Sequence, residues 1–305
     1  VILGAAAHGA LGELAALGTA VCWAFTSLWF AAAGRRIGSL PVNLLRMPIA
    51  LLWLSSYGWV VRGHALPLDA GANAWTWLSI SGLLGFAFGD LFLFRALILI
   101  GPRLGSLVMA SAPLFTTVLG IWVLDEGLVL RDIAGMALVT GGIAWAVVAR
   151  TPPGALGAPS RATLVRGVGF ALMGAIGQAA GLVTAKYGMA EYDPFASTQI
   201  RVLVGTVAFI VAVTVRGQWP AVRRGLADRR AMMMVSLGGT FGPFLGVGLS
   251  LTAAQLTHAG VAASLMALQP ILVIPLAVWF AHERVGMAAI GGAVVAIAGV
   301  VLLVT

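Results

Sequence analysis

The stretch SISGLLGFAFGD (Ser79–Asp90) returns as SLGGTFGPFLGV (Ser236–Val247), and the likeness does not stop there. Extended without a gap, Ser79–Val147 lies on Ser236–Val304 at the constant offset of 157 residues that carries Ser79 to Ser236. Gly82, Gly85 and Gly89 fall on Gly239, Gly242 and Gly246, and Met109 falls on Met266. Pro113, Trp122 and Glu126 fall on Pro270, Trp279 and Glu283, and Gly135 and Gly142 on Gly292 and Gly299. A period this long is not the unit of a solenoid, whose repeats run about 20–50 residues. Each copy is half a protein.

Composition sets the class. The chain is 60% hydrophobic and 9% charged, with a mean hydropathy of +1.02, whereas soluble domains carry about 25% charged residues. A chain of 305 residues this apolar reads as an integral membrane protein. The net charge of +8 does not point to nucleic acid, because the basic residues cluster in short loops between apolar runs, where they set membrane orientation. One cysteine, Cys22, sits within an apolar run, so neither a disulfide framework nor a metal cluster is expected. Arg supplies every basic residue except Lys186, a bias that suggests a GC-rich bacterial source and hence the inner membrane. The amino end lacks the basic start of a cleavable signal peptide.

Spanning helices need about 20 apolar residues. Ten such stretches are predicted at roughly 11–33, 41–61, 75–99, 103–124, 131–149, 164–188, 194–215, 231–254, 260–281 and 286–304. They are too long and too uniformly apolar for barrel strands, and lipid offers free backbone groups no partners. Gly101-Pro102 reads as a tight turn between the third and fourth spans, and 216–230 as a basic loop. Residues 151–163, rich in Pro and Gly, read as a linker joining a first half (1–150) to a second (164–305). Five spans per half is an odd number, so the second half enters the membrane from the opposite side. The expected fold is all-α integral membrane: ten transmembrane helices as two inverted five-helix repeats around a central cavity. That arrangement typifies secondary transporters.

Two five-span repeats, each with an Arg early in its second helix (Arg46, Arg201), resemble the EamA family of the drug/metabolite transporter superfamily. The Gly-rich third helix with Ala96-Leu97, the Pro of the fourth helix and the closing Glu add to the likeness. Within the superfamily the chain looks most like bacterial amino-acid and metabolite exporters. The resemblance implies a monomeric, basket-like bundle working by alternating access, with the fifth and tenth spans at the periphery. It implies a small-molecule substrate, an amino acid or related metabolite, moved without a cofactor. Trp23-Ala24 stands where the family has Trp-Gly, with Gln178-Ala179 as its counterpart, and Asp90 and Arg95 are not part of the general pattern.

Several residues are candidates for the substrate site. Asp90 is the only carboxylate deep in a span; intramembrane charges are costly and mark pathways or pairs. It reads either as a substrate-ammonium or proton site or as the partner of Arg46 or Arg95. Pro113 and Pro270 remove backbone donors within matched spans and read as pivots or as tolerated membrane prolines. Met109 and Met266, one turn earlier, offer a soft lining or plain packing. Trp23 and Gln178 hold matched places in the first and sixth spans, suited to a zwitterionic or aromatic solute. Counting spans puts Arg46 and Glu283 on one side and Arg201 and Glu126 on the other, so the two cross-repeat pairs read either as alternating latches, one closed while the other is open, or as arginines that snorkel to headgroups while the glutamates sit in water. The glycine ladders are either sliding surfaces or static close packing.

Other classes fit less well. A nucleotide-sugar or sugar-phosphate exchanger needs several cavity cations, and only Arg46, Arg95 and Arg201 are available. A channel needs continuous polar stripes. An enzyme needs a polar cluster, and the four His show no ligand spacing. Orientation is contested: most loop cations follow odd-numbered spans, which places both termini outside, whereas the family resemblance implies cytoplasmic ends.

Overall fold

The computed structural model describes residues 2–148, 160–269, 271–272 and 287–304. Among them every regular element is a helix. The first half comprises α1 (Ile2–Ile37), α2 (Ser39–Tyr57), α3 (Ala72–Gly82), α4 (Leu91–Met109), α5 (Ala112–Leu124) and α6 (Leu130–Val148). The second comprises α7 (Arg161–Met189), α8 (Pro194–Val215), α9 (Trp219–Ala227), α10 (Arg229–Gly239), α11 (Val247–Leu256), α12 (Ala259–Met266) and α13 (Met287–Val304). Among the described residues six continuous helical runs are long and apolar enough to cross a membrane: Gly9–Ile37, Ser39–Arg62, Ala72–Ala96, Arg161–Met189, Pro194–Val215 and Arg229–Leu256. Ala112–Leu124 and Ile290–Leu303 are shorter apolar helices.

The repeat is written into the irregularities of these helices. A π-helical segment, Leu83–Asp90, joins α3 to α4, and another, Thr240–Gly246, joins α10 to α11 at the matched place. Such wide turns are rare and concentrate at functional sites. Likewise α4 stops at Met109 and α12 at Met266. Two-residue turns follow at matched positions, Ala110-Ser111 and Ala267-Leu268, before helix resumes at Ala112 and Gln269. Pro113 is buried but does not sit mid-helix: it lies in the first turn of α5, where its missing N–H has no partner to lose. Pro270 lies outside the described residues.

Glycines set how these segments pack. The third span runs antiparallel along α7, with Gly89 against Gly177 and Gly85 against Gly181; a Cβ on Gly181 would meet the Gly85 Cα at 2.9 Å. In the matched contact the α10–α11 span lies along α1, with Gly242 against Thr26 and Gly246 against Trp23. Small faces of this kind let backbones approach in lipid. Gly181→Leu is expected to destabilise by about 1–3 kcal/mol through overpacking. Gly169→Leu on the same helix, where a Cβ meets nothing within 4 Å, is the control. Melting of the detergent-solubilised protein checks both, and equal stability would remove the close-packing account.

Equivalent spans also meet each other head to tail. Tyr57, at the end of α2, stacks on Phe195, at the start of α8, at 4.6 Å. In the pair formed by α6 and α13, Gly135 faces Gly299 and Gly142 faces Gly292.

Two local expectations change. Helix continues through Gly101-Pro102 to Met109, although Pro102, eleven residues beyond the Leu91 start of α4, removes one helical N–H and favours a kink there. The chain still doubles back, since Ile100 touches Gly167 near one end of α7 whereas Glu126 bonds Lys186 near the other. The expected basic loop 216–230 contains the helix α9, with Val222 and Gly225 buried. Asp228 then caps α10 through the N–H groups of Arg230 and Ala231 and pairs with Arg36 at 2.8 Å, which ties the loop to the end of α1. Most of the 151–163 linker lies outside the described residues; Ser160 caps α7 by accepting from the Thr163 N–H.

Candidate functional site

The two matched arginines converge. Arg46 of α2 and Arg201 of α8 place their guanidinium carbons 5.9 Å and 5.5 Å from the centre of one ring, Phe86. Phe86 belongs to the Leu83–Asp90 π-segment. The antiparallel contact of α2 with α8 starts the two arginines at different depths, and their long side chains close the remaining gap. Arg46 also lies over Phe30 and Phe94, at 5.1 Å and 5.8 Å.

Asp90 closes that π-segment and is 7% exposed; Arg46 is 6% exposed and Arg201 5%. The Arg46 guanidinium donates to Asp90 Oδ2. Gln178 Nε2 donates to Asp90 Oδ1 at 2.8 Å and to the Gly85 carbonyl at 3.3 Å. Asp90 is therefore bonded on both oxygens. Its partner is Arg46, whereas Arg95 is exposed, with its guanidinium carbon 5.9 Å from the Phe170 ring. Arg201 interacts with Asp90 through space, but it makes no hydrogen bond or ion pair among the described residues. The Nε atoms of Arg46 and Arg201 are buried without partners, and so is the Ser197 hydroxyl.

Backbone packing locks this centre into the repeat. A Cβ on Gly82 would come within 2.7 Å of the Arg201 carbonyl oxygen, and one on Gly239 within 3.1 Å of the Arg46 carbonyl oxygen. The ladder glycines thus seat each π-segment against the arginine helix of the other half. Trp23 packs against the apolar cluster that holds Phe30 and Phe86 but makes no hydrogen bond to Asp90, Arg46 or Arg201. Its indole faces Gly246, as Gln178 faces Gly89, and its carbonyl accepts from Gln269 Nε2 at 3.1 Å, beside the break in the ninth span. Met266 is buried and Met109 partly buried, each ending its half-helix. Neither they nor Pro113 are joined to Asp90 by any hydrogen bond or ion pair.

A second polar cluster closes one end of the bundle. Asp125 ends α5 in a left-handed conformation (φ 51°), which turns Glu126 back towards α12. Both Glu126 oxygens accept from the Ala259 N–H, at 3.0 Å and 2.9 Å, and Oε1 accepts from Lys186 Nζ at 2.5 Å. Lys186 also donates to the Thr257 carbonyl at 2.6 Å. Here a carboxylate caps a helix N-terminus and neutralises an ammonium at once. An open cleft of about 600 Å³, lined by Asp125, Glu126, Lys186, Tyr187, Gln255 and His258 among others, lies over it.

One of the two expected latch pairs, Arg201–Glu126, is apart in this structure. In the structure Glu126 takes Lys186, and Arg201 turns inward to the field of Asp90 instead of reaching Glu126. Glu283 lies outside the described residues. Lys186 carries no expected role in the sequence, although a lone Lys among arginines is a signal. The sequence of the repeat does not supply the same partners. In the register that pairs Trp23 with Gln178 and Arg46 with Arg201, Lys186 falls on Ala31. In the register that pairs Glu126 with Glu283, Ala259 falls on Pro102, which has no N–H to offer.

Comparison with known proteins agrees with the helical, duplicated fold. A solved crystal structure is similar over 94% of this chain and 94% of its own, with a TM-score of 0.66 at 18% identity, a likeness of fold alone. No curated protein matches the chain. The profile of the EamA-like transporter family matches residues 10–148 and again residues 165–305. A twice-matched profile over most of a chain of repeated apolar helices leaves one assignment: this multi-pass membrane protein belongs to the EamA-like transporter family, within the drug/metabolite transporter superfamily.

Proposed function

We propose that the chain is a secondary transporter of a small organic solute, an amino acid or related metabolite, exported across a bacterial inner membrane by a monomer. Its ten spans form two inverted repeats, and their exchange of conformations opens the centre to one side and then the other. The head-to-tail contacts of α2 with α8 and of α6 with α13 support the inversion. The observation that carries the reading is the buried centre itself. Arg46 and Asp90 come from one half and Gln178 and Arg201 from the other, gathered around Phe86 between apolar helices. Intramembrane charges so placed mark a substrate or ion path. Broken spans near such a centre supply exposed backbone groups and pivots.

The test is flux. Purified protein in liposomes should take up labelled amino acids and related metabolites saturably, with and without a pH gradient. Empty liposomes should not. Linear, non-saturating ion conductance would make the protein a channel instead, and no flux of any solute would remove the transport reading. Pro113→Ala is expected to slow turnover several-fold, because it gives α5 an N–H with which to extend helix back across Ala110-Ser111. Turnover at the parental rate with unchanged stability would exclude that pivot.

A further inference from the structure

We infer that the buried centre recognises an anionic group, a carboxylate in the first instance, and that Arg201 is the residue that binds it. The inference rests on the transport reading only in treating the ligand as cargo. The centre holds two guanidinium groups and one carboxylate. That carboxylate is already committed: Asp90 Oδ2 accepts from Arg46 and Oδ1 from Gln178. No oxygen of Asp90 is left without a donor for an incoming ammonium. Among the described residues the charge without an ion-pair partner of its own is positive, and it belongs to Arg201.

Arg201 is held in that state by construction. Its guanidinium rests on the Phe86 face and its Nη2 would lie 3.0 Å from a Cβ on Gly85, so glycine makes the space it occupies. Its Nε has no partner. One turn earlier on the same face of α8, Ser197 is fully buried and its hydroxyl is also unpartnered; residues four apart on a helix are neighbours. A planar carboxylate can accept two parallel N–H bonds from a guanidinium and a third from the Ser197 hydroxyl. No such geometry is offered to a cation, which meets a net positive centre, or to a neutral sugar, which leaves the charge uncompensated. The walls close over the guanidinium in this structure, so the anion enters when the helices part, as alternating access requires.

The test uses two probes of one size and opposite charge: 3-phenylpropanoate, which has a carboxylate and no amine, and phenethylamine, which has the reverse. Thermal unfolding of the purified protein is followed with each. The wild type should be stabilised by the acid and not by the amine. Arg201→Gln should weaken the response to the acid about thirtyfold or more, the scale of losing one partner of a buried charge-assisted pair. Arg201→Lys, which keeps the charge without the fork, should fall between. If Arg201→Gln does not fold, the wild-type comparison of acid with amine still decides. Equal or stronger stabilisation by the amine, no response to the acid, or an unaltered acid response in a folded Arg201→Gln protein overturns the inference. Because the readout is binding, absence of flux in liposomes counts against the transport reading and not against this one.

Discussion

Asp90→Asn should be the most damaging single substitution in the chain. It leaves Arg46 and Arg201 buried with no carboxylate between them, and breaking a buried ion pair by removing one partner costs about 3–5 kcal/mol. The expected result is a sharply reduced yield of monodisperse protein and a lowered melting temperature. Asp90→Asn combined with Arg46→Gln removes both charges of the pair and should restore folding. It should not restore flux, because Gln178 then has no carboxylate to hold and the charge balance around Arg201 has changed. A single Asp90→Asn protein as stable and as active as its parent would remove the centre from both structure and mechanism.

Lys186→Ala should produce the second-largest effect, and it should appear in conformation. The Lys186–Glu126–Ala259 cluster closes one end of the bundle, and in the sequence repeat Ala31 and Pro102 stand in register with Lys186 and Ala259. The protein is therefore expected to favour the state closed at the Glu126 end. Loss of a charge-assisted hydrogen bond, about 1.5–3 kcal/mol, shifts that balance about tenfold or more. In a Cys22→Ala background, a cysteine at Ala190 in the cleft should react faster with a soluble thiol reagent once Lys186 is removed. The charge swap Lys186→Glu with Glu126→Lys should fail to rescue, because an ammonium at 126 would face the N-terminus of α12, which favours an anion. Rescue by the swap would reduce the cluster to a simple ion pair. An unchanged labelling rate in Lys186→Ala would show that it is not a gate.

The sequence carried the all-helical membrane class and the twofold repeat, because apolar length and self-similarity survive without side-chain geometry. The glycine ladder marked where helices pack closely; the π-segments at the same places had no signal of their own in the sequence. Asp90 stood out because a deep carboxylate has few explanations, and Arg46 was among its named partners. The errors share a cause. Hydropathy fixes how far along a span a residue lies but not which way its side chain turns. Arg201 was assigned to an end and reaches instead for the centre, through a side chain long enough to span the difference. Phe86, the ring both arginines share, looked like one apolar residue among many. The α12 N-terminus that receives Glu126 became visible only once the Thr257-His258 break was in place. Glu283 and Pro270 lie outside the described residues, so the second-half counterparts of Glu126 and Pro113 stay expectations from the repeat.

Access to the centre from both faces is the central claim, and one labelling experiment reads it. Ser197→Cys in a Cys22→Ala background replaces a fully buried hydroxyl one turn from Arg201 with a thiol of similar size. The protein is sealed into liposomes, and a membrane-impermeant thiol reagent is applied from outside or trapped inside, with a transported solute imposed as a gradient in either direction. The account predicts labelling from both faces during turnover. Labelling from one face only, or from neither face while solute flux continues, would contradict it.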